Sequence, residues 1–287
     1  MLIEPPIGRE ARNHPSAGCT AANLEIPHFD FAGIDIAAID LPEACNIIVG
    51  AALSHLPAYV TVADAHSIVE SVDNESVRRA HQEALMVVPD GMPLVWLGRI
   101  LGYRSIGRVY GPDLMQAMFS KKEYRDLRHF FYGSNASVIT ALVNVMVSRF
   151  GQFNFVGSYS PPMRPVGFRE DDDILLRIRE AAPHILWVGL STPKQELWLQ
   201  MHMKQIGSGV GIGVGAAFEL VSGTITQAPR WIQRSGFEWL FRLIMEPKRL
   251  FRRYFFVVPR FAWLFSQRLL KARAPVVQFP EQPKTRR

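Results

Sequence analysis

The sequence predicts an α/β fold in which a parallel sheet carries helices on both faces. Helical patterns alternate with short apolar runs that have the composition of buried parallel strands. The runs are residues 58–63, 84–90, 128–133, 153–159, 184–190 and 209–215. In such sheets ligands bind outside the carboxyl ends of the strands. The strand-to-helix junctions are therefore where functional residues are expected.

The length and composition of the chain suit one large domain, or one domain with an appendage. Its 287 residues are 48% hydrophobic, which is enough to bury a full core without disulfide bridges or structural metals. We expect residues 1–25 to form a disordered arm and residues 26–232 to form the α/β core. Residues 233–287 are predicted to form a basic, amphipathic, helical C-terminal appendage and a tail.

The chain carries no pattern typical of export or of a membrane-spanning helix. Its two cysteines, Cys19 and Cys45, form neither a disulfide framework nor a metal-binding pattern, which is typical of a reducing compartment. The N-terminal stretch lacks the layout of a signal peptide, and no apolar run reaches the roughly 20 residues that span a bilayer. We therefore expect a cytoplasmic protein.

The net charge of +6 is concentrated near the C-terminus. Residues 230–273 contain eleven Lys and Arg but only two acids, Glu238 and Glu246. This excess predicts an anionic partner, whether membrane, nucleic acid or phosphate. The basic residues alternate with aromatic and aliphatic ones, which favours a segment lying on an anionic membrane surface. Because no nucleic-acid-binding module is visible, we expect no nucleic-acid partner.

Carboxylates follow two of the predicted strands. Thr61 and Asp64 are polar groups at the end of the first strand, where Asp64 is either a substrate contact or the N-cap of the next helix. Asp90 ends the next strand between a proline and a glycine, in "VVPDG". It either caps the following helix or presents a catalytic carboxylate at the ligand edge of the sheet. The pattern leaves both interpretations open.

Two later junctions offer cations for a bound anion. Arg108 precedes a predicted helix, and its forked guanidinium suits a phosphate or a carboxylate, although a surface arginine would give the same pattern. In "GLSTPKQELW", Thr192 as N-cap and Gln195 three positions later predict a capping box. That box does not explain Lys194, because a cation is disfavoured at the positive end of a helix unless an anion such as a diphosphate binds there.

Three further patterns fall short of a cofactor or metal site. The glycine run at 209–215 lacks the spacing of a dinucleotide fingerprint, so we expect its glycines to permit close helix–strand packing. Asp171 and Asp173 have a D-x-D spacing but open a predicted helix, where acids complement the helix dipole. The eight histidines show no zinc-binding spacing. We predict neither a metal nor a cofactor.

Seven motifs occur along the chain in the order found in one enzyme family. They are "VVPDGMPLVW", "GRVYGPDL", "FFYGSN", "VGSYSPP", "VGLSTPKQELW", "GVGIGVGAAFELVSGTITQAP" and "EWLFRLIMEPKRLFRR". Together they resemble the WecG/TagA/CpsF glycosyltransferases of bacterial cell-surface polysaccharide synthesis, over about residues 30–260. The resemblance implies a Rossmann-like domain that carries a C-terminal appendage.

The resemblance also implies an activity. Such enzymes transfer a sugar, with inversion and without a required metal, from a UDP-sugar to a lipid-diphosphate-linked acceptor. We therefore expect an enzyme of exopolysaccharide or related glycan synthesis, peripherally associated with the inner face of the plasma membrane. A nucleotide-dependent oxidoreductase and a non-catalytic membrane-docked scaffold are the alternatives. The oligomeric state is left open, with a homo-oligomer among the alternatives.

The functional residues of the family correspond to defined positions of this chain. The proposed general base corresponds to Asp90, the arginine of the helix-entry motif to Arg108, and the glutamine of the P-K-Q-E motif to Gln195. The appendage arginines correspond to Arg242, Arg249 and Arg252.

One position departs from the family pattern. The family often has T-x-N at the end of the first strand, with the asparagine near the sugar. Here Ala63 stands two residues after Thr61, and Asp64 follows it. Either Asp64 replaces the asparagine with a shift of one residue, or the contact is lost. The transferred sugar and the acceptor sugar are therefore left open.

Overall fold

A computed structural model describes residues 2–3 and 26–273 of the chain. The strands are β1 (Leu2–Ile3), β2 (His28–Phe31), β3 (Ile34–Ala37), β4 (Ala58–Ala63), β5 (Met86–Pro89), β6 (His129–Gly133), β7 (Phe155–Tyr159), β8 (Ile185–Gly189) and β9 (Val210–Gly213). The helices are α1 (Leu41–Leu53), α2 (Ala65–Asp73), α3 (Glu75–Gln82), α4 (Met92–Ile100), α5 (Gly111–Ser120), α6 (Lys122–Arg125), α7 (Ala136–Phe150), α8 (Asp172–Ala181), α9 (Lys194–Ile206), α10 (Ala217–Ser222), α11 (Arg230–Ser235), α12 (Glu238–Met245) and α13 (Pro247–Arg273).

The described strands form one sheet in the order β1-β7-β6-β8-β9-β4-β5-β3-β2. Neighbouring strands are parallel throughout the interior of the sheet. Only the two edges are antiparallel, where β1 pairs with β7 and β2 pairs with β3. The predicted α/β class with a parallel sheet is confirmed.

The six predicted strands are all present, and the sequence analysis missed the hairpin of β2 and β3. Exposed and buried residues alternate along β2. The search for continuous apolar runs finds strands that are covered on both faces, whereas an edge hairpin with one exposed face alternates in polarity.

Helices cover both faces of the sheet, as predicted. On β8, Ile185 and Trp187 belong to the core cluster that contains α1, α5, α7 and α10. Leu186 and Val188 belong to the cluster formed with α8 and α9 on the opposite face. Successive side chains of a strand point to opposite faces, so a strand between two helical layers must be apolar at every position.

The glycines of β9 let α9 approach the sheet closely. A Cβ atom on Gly211 would stand 2.7 Å from the sulfur of Met203, and one on Gly213 would stand 3.2 Å from the side chain of Gln195. A Cβ atom at either position would fit only if the side chains of α9 moved away from the sheet. The expectation that this glycine run serves packing is confirmed.

The predicted N-terminal arm and C-terminal tail lie mostly outside the described residues. Leu2 and Ile3 pair with Tyr159 and Ser158 of β7 and extend the sheet by one short strand. The remaining residues of the range 1–25 are outside the described part of the chain, as are residues 274–287.

The C-terminal helices are attached to the core along one face of α13. Leu250, Val257 and Phe261 of this helix are buried, and the rings of Phe261 and Phe31 lie 5.6 Å apart. Exposed arginines occupy other faces of the same helix, so one helix can be both basic and part of the core. The boundary predicted after residue 232 falls inside α11, and the division into two domains stays a prediction.

The outer face of α13 carries aromatic side chains between its exposed arginines. Phe251, Phe255, Phe256 and Trp263 are each about 60% exposed. An exposed aromatic face of this kind is typical of an interaction surface. Within the described residues, no helix has both the length and the apolar character that crossing a bilayer requires.

Candidate active site

Two carboxylates follow neighbouring strands at one edge of the sheet. Ala63 at the end of β4 pairs with Pro89 at the end of β5, so Asp64 and Asp90 leave the sheet side by side. Oδ1 of Asp64 accepts a hydrogen bond from the N–H of Ser67 at 2.8 Å, and the Ser67 hydroxyl oxygen accepts one from the N–H of Asp64 at 2.9 Å. The N-cap interpretation of Asp64 is therefore confirmed, and Asp64 also faces the cavities described below.

Asp90 does not cap the helix that follows it. The N-cap residue of α4 is Gly91, without a side-chain hydrogen bond. Instead, Oδ1 of Asp90 accepts a hydrogen bond of 3.0 Å from the N–H of Gly111, the first residue of α5. The positive end of α5 thus holds the carboxylate at the edge of the sheet.

The surroundings of Asp90 disfavour its charged form. Burial raises the pKa of this carboxyl from 3.8 to about 7, and the charges of Asp64 and Glu238 act in the same direction. The guanidinium of Arg108 and the N–H of Gly111 oppose the shift. A carboxylate with this pKa can accept a proton near neutral pH.

Arg108 is a partly buried residue of the site, not a surface arginine. Its Nε donates to the main-chain oxygen of Asp90, and its Nη2 donates to Oε2 of Glu238 at 2.7 Å. Its guanidinium carbon lies 4.0 Å from the centre of the Tyr110 ring. The hydroxyl of Tyr110 donates to the other oxygen of Glu238 at 2.7 Å. The sequence analysis missed Glu238, for which the available signal was an acid in a basic segment.

The predicted capping box at the start of α9 is wrong. This helix begins at Lys194, with Pro193 at the N-cap position, so Thr192 lies outside it. Gln195 is buried and reaches to the segment after β9, where its Oε1 accepts from the N–H of Gly215 at 2.8 Å. Its Nε2 donates to Oε1 of Glu196 at 3.0 Å, and the Thr192 hydroxyl donates to the same oxygen at 2.9 Å.

Glu196 is the buried acceptor that holds the side chains of Gln195 and Thr192 in place. It is fully buried, and burial raises its pKa from 4.5 to about 7, against the hydrogen bonds from Gln195 and Thr192. Its second oxygen, Oε2, has no hydrogen-bond partner within the described residues. Because Gln195 and Thr192 both face the cavity beyond β9, Glu196 fixes the shape of that cavity wall.

Two cavities meet at Asp90. The polar chamber has a volume of about 120 Å³ and is lined by Thr192, Gln195, Gly215, Arg249 and Arg253, among others. The aromatic chamber has a volume of about 250 Å³ and is lined by Met92, Trp239, Tyr254, Val257 and Phe261, among others. Asp64, His66, Asp90, Tyr110 and Arg242 line both. Asp90 thus lies where a ligand in one chamber would meet a ligand in the other.

The predicted appendage arginines differ in their placement. Arg242 of α12 is partly buried between the two chambers, and its Nε has no hydrogen-bond partner within the described residues. Arg249 lines the polar chamber and forms an ion pair of 2.6 Å with Glu246. Arg252 lies outside both chambers and lines a third cavity of about 470 Å³ with Arg253 and Arg260.

Two predicted substrate-binding residues are directed away from the chambers. Thr61 is fully buried, and its hydroxyl is hydrogen-bonded to Nδ1 of His81 at 2.8 Å. Lys194 donates from Nζ to the main-chain oxygen of Arg164 at 2.6 Å. The position of Thr61 follows from the alternation of side chains along β4, which turns Val62 and not Thr61 towards the polar chamber. Val62 and Asp64, which both line the polar chamber, are two positions apart, as are the threonine and the asparagine of the T-x-N pattern.

His66 lies at the site, although the sequence analysis assigned it no role. It lines both chambers and the third cavity. Its Nε2 lies 3.4 Å from Oε1 of Glu70, and burial lowers the pKa of its ring. The available signal was its place two residues after Asp64, at the start of α2.

The D-x-D pair lies at the start of α8, away from these chambers. Asp171 occupies the N-cap position, and Asp173 lies in the first turn. Asp171 forms an exposed ion pair of 3.0 Å with Arg164. Among the described residues, no group of three or more His, Cys, Asp or Glu side chains is arranged to hold a metal ion.

Comparison with known proteins gives a consistent result. The model of the WecG/TagA/CpsF glycosyl transferase family matches residues 29–275. Proteins named N-acetylglucosaminyldiphosphoundecaprenol N-acetyl-beta-D-mannosaminyltransferase are similar to this chain. The one from Bacillus spizizenii is 26% identical over 193 residues, which are 67% of this chain and 73% of that protein. The one from Bacillus subtilis is 29% identical over 164 residues, 57% of this chain and 62% of that protein.

A protein of the same name from Staphylococcus aureus is 24% identical over 196 residues, 68% of this chain and 74% of its own length. The family match begins inside β2 and covers all later strands, both chambers and the C-terminal helices. It therefore includes Asp90, Arg108, Gln195 and the arginines of α12 and α13. This chain belongs to the WecG/TagA/CpsF family of glycosyltransferases.

Proposed function

We propose that this protein transfers an N-acetylhexosaminyl group from a UDP-sugar to a saccharide linked to a lipid diphosphate, with inversion at the anomeric carbon. The observation that carries the proposal is Asp90, which lies between two chambers and has a pKa of about 7. The names of the relatives favour N-acetylmannosamine as the transferred sugar and an N-acetylglucosamine linked to undecaprenyl diphosphate as the acceptor.

The reaction is a single displacement. A hydroxyl oxygen of the acceptor attacks the anomeric carbon of the donor sugar while its proton passes to the carboxylate of Asp90. The bond from the anomeric carbon to the diphosphate oxygen breaks, and UDP leaves with the electron pair. General base catalysis of this kind typically contributes roughly 10²–10⁴-fold to the rate.

The two chambers suit the two substrates. The leaving diphosphate gains negative charge, and the polar chamber offers Arg242, Arg249 and Arg253 to stabilise it. We therefore assign the UDP-sugar to the polar chamber, next to Gln195 and Thr192. The aromatic chamber, with Trp239 and Tyr254 in its wall, takes the acceptor, since sugars and lipid chains both pack against aromatic and aliphatic surfaces.

The exposed aromatic face of α13 supports peripheral attachment to a membrane. Phe251, Phe255 and Trp263 are exposed on a helix that also carries exposed Arg249 and Arg252. Aromatic side chains and basic residues on one helix favour an anionic leaflet. Because the proposed acceptor is embedded in the membrane, we place the protein on the cytoplasmic leaflet, in the synthesis of a cell-surface or exported polysaccharide.

The direct test is turnover with defined substrates. The purified protein is incubated with UDP-N-acetylmannosamine, UDP-N-acetylglucosamine or UDP-hexoses, together with N-acetylglucosaminyl-diphospho-lipid in anionic vesicles. We expect transfer from one UDP-N-acetylhexosamine, and loss of transfer with Asp90→Asn. Binding of UDP without transfer of any sugar would instead favour the non-catalytic scaffold.

The oxidoreductase alternative has lost its only support. It depended on the glycine run of β9, which the contacts of Gly211 with α9 explain by packing. Tight binding of NAD without binding of UDP would restore that alternative.

A further inference from the structure

Glu238 stands apart from the rest of the C-terminal segment. It is one of two acids among residues 230–273, which hold eleven Lys and Arg, and its side chain is only 13% exposed. Carboxylates are rarely this buried unless they are paired. Both oxygens of Glu238 have a partner, because Arg108 donates to Oε2 and Tyr110 donates to Oε1, each at 2.7 Å.

These hydrogen bonds join the C-terminal helices to the segment that holds Asp90. Glu238 is the first residue of α12, whereas Arg108 and Tyr110 precede α5. In that segment the N–H of Val109 donates to the main-chain oxygen of Pro89 at 2.9 Å, and the N–H of Gly111 donates to the carboxylate of Asp90. A movement of Glu238 would therefore change the position of Asp90, because residues 108–111 contact both side chains.

We propose that Glu238 is a positioning residue of the transfer reaction, which fixes Arg108 beside Asp90 and fastens α12 over both chambers. The inference rests on the proposed function, in which Asp90 is the base. Arg108 contacts the main chain of Asp90 through Nε and Glu238 through Nη2, so the carboxylate of Glu238 sets the orientation of the guanidinium and offsets its charge.

Offsetting that charge matters for the base. An arginine without a counter-ion would stabilise the ionised form of Asp90 and make it a weaker proton acceptor. With Glu238 in place, a second negative charge acts on Asp90 and the effect of Arg108 is partly cancelled. The other titratable or charged groups that line the chambers with Asp90 come from the start of α2, from the segment before α5, from α12 and from α13: Asp64, His66, Tyr110, Arg242, Arg249, Arg253 and Tyr254.

The matched variant is Glu238→Gln, which removes the charge but keeps the shape and one acceptor oxygen for Arg108, while its amide nitrogen can donate to the Tyr110 hydroxyl. We expect the acidic limb of the kcat profile to move to lower pH by about half a unit or more, since one neighbouring charge of two has been removed. A titration of the Asp90 side-chain carboxyl carbon by NMR, assigned with Asp90→Asn, should show the same displacement. If Glu238 only stabilised the fold, the variant would have a lower melting temperature, but neither the acidic limb of the kcat profile nor the NMR titration of Asp90 would move.

Asp73→Asn is the control. Asp73 forms another ion pair between the core and α13, with Arg260, but both side chains are nearly half exposed and lie away from Asp90. Exposed pairs contribute little, so this variant should keep the turnover and the pH limb of the unmodified protein. Glu238→Ala should lose at least tenfold in turnover and should speed hydrogen exchange in α12, whereas Asp73→Asn should do neither.

The outcomes separate this inference from the proposed function. If the unmodified protein transfers no sugar, the proposed function fails, and the NMR titration still decides whether Glu238 governs the proton affinity of Asp90. If transfer occurs but Glu238→Gln matches the unmodified protein in the kinetic limb, the NMR titration and the turnover, the positioning role is refuted. Equal hydrogen exchange of α12 in Glu238→Ala and in the unmodified protein would refute the fastening role.

Discussion

The edge of the sheet and the C-terminal helices contribute to one site in different ways. At the edge, Asp64, Asp90 and Gln195 each accept a hydrogen bond from a main-chain N–H, those of Ser67, Gly111 and Gly215. Main-chain groups in a packed core move little, so these side chains are held before any substrate arrives. The edge therefore supplies fixed geometry.

The C-terminal helices supply charge that is less tightly held. Arg249 pairs with Glu246 of its own segment, and Arg242 keeps a donor without a partner within the described residues. Long arginine side chains with unused donors can adjust to a diphosphate. We therefore propose that the core encodes most of the reaction geometry, with Glu238 of α12 as its one contribution from the C-terminal helices, and that the arginines of α12 and α13 supply affinity for anionic substrates. The predictions below test this division.

The largest effect is expected at the edge of the sheet. Asp90→Asn keeps an oxygen that can accept from Gly111 but removes the base, so turnover should fall by about two orders of magnitude or more while UDP affinity is retained. Steady-state kinetics with calorimetric titration of UDP measures both. If the variant turns over normally, Asp90 only caps α5, and the base must be sought elsewhere, with His66 as the next candidate.

The second prediction concerns the arginine between the chambers. Arg242→Ala should lower UDP affinity by about tenfold, the value of one charge-assisted hydrogen bond, with little change in melting temperature. Lys194→Ala is the matched control, because its ammonium group is bonded to the main chain of Arg164, outside both chambers. Equal losses in the two variants would mean that the ammonium group of Lys194 also contacts the diphosphate, as the sequence alone suggested.

The third prediction addresses the outer face of the C-terminal helices. Replacing Phe251, Phe255 and Trp263 together by serine should reduce flotation with anionic liposomes by about tenfold, since three exposed aromatic side chains no longer insert. Leu53, Leu56 and Ile100 are also exposed but lie on the core, so their triple serine variant is the control. Equal flotation of both variants would move the membrane-binding surface away from α13.

Removing the C-terminal helices altogether is a poorer test than these substitutions. Leu250, Val257 and Phe261 are buried, and Phe261 packs against Phe31 of β2. Truncation would expose that part of the core, and loss of a buried aromatic side chain alone typically costs about 3–5 kcal/mol. A truncated protein that fails to bind vesicles would therefore not separate docking from unfolding.

The sequence predicts those parts of the site that depend only on residues close together along the chain. Asp90 was placed correctly because the end of a buried strand can be read from a few residues, and parallel strands bring their carboxyl ends to one edge. The face towards which Thr61 points could not be read, since a strand that is buried on both faces is apolar at each position, and the pattern does not distinguish the faces.

Long-range partners explain the remaining errors. Gln195 fits a capping box by spacing, but its side chain bonds to Gly215, 20 positions later. Glu238 acts on Arg108, 130 positions earlier. Local patterns carry no information on such contacts, which exist only once β9 and α12 have packed against the sheet.

The smallest effect is expected in the stability of the protein, and it tests whether the fixed geometry at the edge carries a cost. The folded-state pKa of Asp90, about 7, lies above its ordinary value of 3.8. The folded state therefore binds the proton more tightly than the unfolded chain, so the stability linked to this carboxyl is complete below about pH 4 and is lost as pH rises towards 7.

Asparagine carries no charge at any of these pH values. The melting temperature of Asp90→Asn should thus match that of the unmodified protein near pH 4 and exceed it at pH 8, by about 2–4 °C for each kcal/mol recovered. Differential scanning calorimetry between pH 4 and pH 8 measures the difference, and Asp30→Asn, on the exposed face of β2, is the control. A difference that stays constant with pH would show that Asp90 is ionised throughout this range, and the basis for its role as a base near neutral pH would be lost.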